Sequence, residues 1–212
     1  MDLADMMLGQ NGETGDHVKG VAIAVVTNNQ DPEKLGRVKV KYPWRDTEDE
    51  SYWARMTTFM AGNEMGGYFL PQVNDEVLVA FENGDIDFPF ILGALWSGKM
   101  KPPETNANGK NDRRLIKSRS GHFIILDDAA GNEKIEIIDK SGRNLMTIDS
   151  SKNTIEITSG QDINLKATGK ISLECAQFEV KAQATATVEA TGSLNLKATG
   201  NAVLKGAVVM IN

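Results

Sequence analysis

A few places in this 212-residue chain hold side chains whose types and spacing could do chemistry. Asp127-Asp128 is a carboxylate pair of the kind that divides acid and base roles. It opens an expected turn, Asp128-Ala129-Ala130-Gly131-Asn132, and reads more simply as solvated turn residues. Gly84-Asp85-Ile86-Asp87 has the acidic alternation of a calcium loop, but the further spaced ligands and the closing Glu are missing. His17 and His122 are the two histidines, and they lie too far apart in sequence to point to a metal. Cys175 is the single cysteine, so no intrachain disulfide forms. It falls among small residues and reads as a buried, inert thiol. Arg37, Lys39 and Lys41 share one side of a strand, as on a nucleic-acid-binding barrel. No clear aromatic ladder accompanies them on the same face. Residues 1–98 hold 7 basic and 16 acidic side chains, net −9, against +3 for residues 99–212. An acidic front half argues against nucleic acid as a partner, so this face is read as solvated or protein-contacting. No catalytic residue, metal ligand or cofactor is assigned.

The elements that would position these residues are strands. Val21–Val26, Arg37–Tyr42, Tyr52–Met56, Val77–Phe81 and Phe90–Leu95 alternate or run apolar over strand lengths. Glu82-Asn83-Gly84-Asp85 between the last two is a hairpin signal. Five strands in residues 18–97 predict a small barrel of the OB type. Residues 1–17 read as an arm in which Leu3, Met6 and Met7 share one face of a helical turn. Residues 98–112, with Pro102, Pro103 and Gly109, read as a linker. Alternation resumes at Ile124/Leu126, Ile135/Ile137, Met146/Ile148 and Ile155/Ile157, with turns that shorten along the chain.

From residue 163 the sequence repeats every eight residues with one residue omitted. One column is Ile163, Ile171, Phe178, Ala186, Leu194, Ala202. Two residues on comes Leu165, Leu173, Val180, Val188, Leu196, Leu204. A third column is small: Ala167, Cys175, Ala182, Ala190, Ala198, Gly206. Between the last two run Lys166, Glu174, Lys181, Glu189, Lys197 and Lys205. Apolar residues at every second position with charge between them make a strand, and a fixed period makes a stacked array. Eight extended residues reach about 26 Å, one strand and a corner. Each layer therefore takes three octads, from one chain as a three-sided solenoid or one each from three chains. The near-copies Ile163–Gly169 and Leu194–Gly200 lie four octads apart, and a three-octad coil within one chain would favour three or six. An intertwined trimer over 113–212 is the expectation, with the large members of the first two columns as its core.

Together these features resemble the central spikes of contractile injection machines, the phage baseplate assembly protein V and valine-glycine repeat spike family. The barrel part of the resemblance lies in Asp31-Pro32-Glu33-Lys34-Leu35-Gly36-Arg37-Val38-Lys39-Val40, Tyr42-Pro43-Trp44, Tyr52-Trp53-Ala54-Arg55, Gly67-Tyr68-Phe69-Leu70-Pro71 and Pro89-Phe90-Ile91-Leu92-Gly93. The shaft part lies in Lys117-Ser118-Arg119-Ser120-Gly121-His122, Leu126-Asp127-Asp128 and the octads. The resemblance implies an all-β protein, an OB-fold barrel on a homotrimeric triple-stranded β-helix, at the tip of a tube driven by a contracting sheath. No hub domain precedes the barrel, which implies a separate hub protein, expected to take the anchors Leu3, Met6 and Met7. The departures imply no wall-degrading insert after the barrel and, without the His-x-His motif, no iron site, and the expectation is that no effector is fused beyond Asn212. The apolar ending at Met210, Ile211 and Asn212 is either plugged by its own copies or capped by a conical tip protein with Pro-Ala-Ala-Arg repeats (PAAR-type). The N-terminus lacks a secretory signal and no run reaches membrane-helix length. The expectation is synthesis in the bacterial cytoplasm and assembly into a tail-like particle that meets the target membrane transiently. Two rivals stay open: an OB-fold binding module with a trimerising tail, and a β-helical tailspike enzyme. The second needs a carboxylate-lined groove, for which the octads leave no loops.

Overall fold

The computed structural model describes residues 18, 20–45 and 49–210. Leu3, Met6, Met7, Ile211 and Asn212 lie outside the described residues. The chain divides into two units at residues 161/162.

The first unit opens with strands β1 (Val21–Asn28), β2 (Lys39–Lys41), β3 (Arg55–Met56), β4 (Ala61–Gly62), β5 (Met65–Gly66), β6 (Glu76–Phe81) and β7 (Pro89–Ala94). They give a five-stranded sheet ordered β2-β1-β6-β7-β3, with β4-β5 as a separate hairpin. Alternation builds the core directly: β6 turns Val77, Val79 and Phe81 inward and leaves Glu76, Leu78 and Ala80 half-buried. Register shifts at Val26/Asn28 and Leu78/Val79 curl the sheet. Its two edges are then joined by a bridge between Val38 and Ala54, with both N–H···O bonds made (3.0 and 2.7 Å). Inside lie Ala24, Val26, Val38, Val40, Val77, Val79 and Ile91, each at most 1% exposed. The β6–β7 connection turns through Glu82–Gly84, with Asn83 and Gly84 at φ 52° and 85°, values that Asn and Gly tolerate best.

After the linker come β8 (Arg113–Lys117), β9 (Phe123–Asp127), β10 (Lys134–Ile138), β11 (Leu145–Asp149) and β12 (Thr154–Thr158). They form one antiparallel meander, each strand paired with the next. This differs from the expected intertwined β-helix over 113–212. Between 113 and 158 the ladder partners lie in the same chain, because each turn is long enough to reverse it. Asp139 organises one such turn. Ser141 Oγ and the backbone N–H of Asn144 donate to it, and its carboxyl is lowered to about 2, chiefly by Ser141. Asp149 organises another, accepting from Ser151 Oγ, Lys152 N–H and Lys152 Nζ.

In the second unit, 162–210, no strand forms within the single chain, and every described residue is exposed. The expected β-helix has no in-chain ladder here, since an octad is too short to fold back on itself.

Candidate interaction surfaces

Asp31 shapes the first surface. Its carboxylate accepts five N–H bonds, from the backbones of Glu33, Leu35 and Arg37 and from Arg37 Nε and Nη2 (2.8–3.3 Å). The carboxyl is 3% exposed, and the Arg37 guanidinium holds it well below the usual carboxylate range. The loop so fixed pushes Leu35 outward, 65% exposed. Beside it the β4–β5 hairpin and the segments flanking it add Met60, Met65, Tyr68 and Phe69, all at least 50% exposed, around an open cleft. This hairpin is not legible in the sequence, since 59–67 shows neither strand nor helix period.

The basic strand face is richer than its own strand suggested. Lys39 Nζ lies 5.6 Å from the Trp53 ring centroid, and the Arg55 guanidinium 4.7 Å from that of Phe90. Trp53, on the approach to β3, thus stands beside Lys39 of β2, and Phe90 of β7 beside Arg55 of β3. These cations are already engaged: Lys39 pairs with Glu50, and Arg37 with Asp31 and Glu33. Tyr52 and Phe88 stack nearby at 5.1 Å.

The third surface is one face of the meander. Arg114, Leu126, Ile135, Ile148 and Ile155 form one cross-strand row, and Ile116, Ile124, Ile137, Met146 and Ile157 the next. Seven of these apolar side chains are 40–69% exposed. The other face is better covered, with Ile125 and Asp149 nearly inaccessible. An uncovered apolar sheet of this extent marks an interface.

The octad columns make the fourth. Leu165, Leu173, Val180, Val188, Leu196 and Leu204 are 66–86% exposed, and Ile163, Ile171, Phe178 and Leu194 are 54–67% exposed. Cys175 is exposed in the single chain, where the sequence placed it inside. Met210 is 87% exposed.

The carboxylates that could have done chemistry are structural or apart. Asp127 lies near Arg113 and Asp128 pairs with Arg114, so the two are drawn to different arginines. Asp85 accepts the N–H of Asp87 within its turn. Among the described residues no three His, Cys, Asp or Glu converge as a metal site.

The curled five-stranded sheet with bridged edges has a known counterpart: residues 22–96 match the Type VI secretion system/phage-baseplate injector OB domain family. The chain is also similar to the type VI secretion system spike protein VgrG3 of Vibrio cholerae, 33% identical over 130 residues, 56% of this chain and 13% of that protein. It is 30% identical over 145 residues to VgrG1b of Pseudomonas aeruginosa, a spike protein of the same system, covering 64% of this chain and 19% of the relative. A third relative, the actin cross-linking toxin VgrG1 of Vibrio cholerae, is 32% identical over 130 residues, 56% of this chain and 12% of its own length. The chain therefore spans between an eighth and a fifth of these relatives.

Proposed function

We propose that this chain is a structural central spike of a contractile injection system and works as a homotrimer. The injector OB domain at 22–96 and the similarity to spike proteins support the system. The observation that carries the trimer is the uncovered apolar face of β8–β12, continued in sequence by octads with no partner in their own chain. Three such faces turned inward bury one another, and three octads per layer supply the strand partners each lacks. A closed β-helix has no free sheet edge and is stiff, so its work is mechanical: to concentrate the force of a contracting sheath on a small area of membrane. The role uses no catalytic group, metal or cofactor. The toxin named among the relatives shares an eighth of its length with this chain, so its activity is not carried over. No helix among the described residues is long and apolar enough to cross a membrane. The barrel side, with the anchors Leu3, Met6 and Met7, is assigned to a hub, and the end at Met210, Ile211 and Asn212 to a tip protein of the Pro-Ala-Ala-Arg type.

Light scattering tests the core of this reading. The expected mass is three times 23.1 kDa at every accessible concentration. A stable folded monomer would falsify it.

A further inference from the structure

The two apolar rows of the meander pose a register problem. Nine of their ten members are Ile, Leu or Met, and successive strands repeat at about 4.8 Å. Sliding one copy along another by one strand sets isoleucine against isoleucine again, so burial alone barely distinguishes the registers. The tenth member is Arg114, on the edge strand β8. It is the one charged residue in the two rows. Asp128, two residues beyond Leu126, reaches back to pair with it. The arginine side chain is 54% exposed and the aspartate 64%, so both keep open sides toward an incoming copy.

We propose that Arg114 and Asp128 form the register latch between copies: a closed ring of six alternating charges in which each Arg114 meets Asp128 of the next chain. The inference rests on the trimer proposed above. Burying the apolar face brings Arg114 into the interface, where an unpaired guanidinium is costly and a paired one is tolerated. A slide of one copy by one strand takes Arg114 away from Asp128 of the adjoining copy at both contacts that copy makes and sets it against isoleucine, leaving only the pair within each chain. A single polar position in an otherwise apolar seam fixes coiled-coil register in the same way. The pair within one chain is then the half of the ring that exists before assembly.

Co-expression of two full-length chains tests this, one carrying Arg114→Glu and the other Asp128→Lys, with tags of different mass. Wild-type chain is measured first, and if it is not trimeric, the failure belongs to the trimer itself. Each variant alone places like charges at all three contacts, and its trimer yield is expected to fall about tenfold or more. Mixed, the chains make two of three contacts opposite in sign. Native mass spectrometry should then show trimers recovered and mixed compositions well above the statistical three to one. Statistical mixing, or no trimer from the mixture, overturns the ring, as it means the pair acts only within its own chain. Arg114→Lys keeps the charge and should assemble as wild type. A loss there as deep as with Arg114→Glu would show that side-chain shape, rather than charge, matters at this position.

Discussion

The hydroxyl of Tyr42 donates a 2.7 Å hydrogen bond to the carbonyl of Ile86, both residues being buried. The bond ties the chain just past β2 to the β6–β7 connection, two places 44 residues apart in sequence. Burial pushes the Tyr42 phenol well above its ordinary value, so it stays a donor at any working pH.

Tyr42→Phe keeps the ring packed on Phe81 and Trp44 but leaves the Ile86 carbonyl without its donor. A buried unsatisfied carbonyl costs about 1–3 kcal/mol. Chemical denaturation followed by tryptophan fluorescence should show a loss of that size with an unchanged slope. No loss would mean that the bond contributes nothing net to the barrel.

Asp31 predicts a pH dependence. Its folded carboxyl is held well below the unfolded value of about 3.9, chiefly by Arg37. Such a group adds stability that is complete above the unfolded value and is lost as pH falls through the folded one. Asp31→Asn should therefore be less stable than wild type at neutral pH. The gap should close on acidification below about pH 4. Denaturation midpoints across that range give the answer, and a gap that widens toward acid would contradict the assignment.

Much of the barrel was legible because alternation reports burial: Val77, Val79 and Phe81 fall inside as their spacing requires. Alternation does not report neighbours. Trp53 stands beside Lys39 because the barrel closes through Val38–Ala54, a contact no local pattern encodes. The pairing of 113–158 was equally hidden, since Ile135 and Ile137 alternate alike whether the partner strand is in the same chain or another. The 61–66 hairpin was missed because its residues have no period at all.

The meander face makes its own prediction. Ile137 and Glu136 are adjacent on β10, one in the apolar row and one on the opposite face. Ile137→Asp would bury three carboxylates at several kcal/mol each in a trimer, and should abolish trimer while the barrel core stays folded. Glu136→Ala should leave the assembly intact. Trimer surviving Ile137→Asp, by light scattering, would place the interface elsewhere.

The two ends separate the proposed partners. Deleting residues 1–12 removes Leu3, Met6 and Met7 and should spare the trimer while blocking attachment to a hub. Deleting residues 207–212 removes Met210, Ile211 and Asn212 and should spare hub attachment while abolishing capture of a tip protein. Pull-down with cognate hub and tip proteins reads both. If the shortened needle keeps its tip protein, or the armless chain keeps its hub, the corresponding anchor is misassigned.

Leu196 and Lys197 test the octads most directly, because the single chain hardly distinguishes them. Leu196 is 86% exposed there and its neighbour is exposed too. If residues 163–206 stayed as an open strand in water, Asp at either position would be tolerated alike. In a three-chain β-helix the two side chains point to opposite sides. Leu196→Asp then sets three carboxylates around a narrow apolar axis, each costing several kcal/mol unpaired, and soluble trimer should be lost. Lys197→Asp alters only the wet face, where a cross-strand charge pair is worth about 0.2–1 kcal/mol, and should lower the melting temperature slightly. Size-exclusion chromatography with light scattering on the two variants decides between these outcomes, and equal tolerance of both would mean that the columns do not form a core.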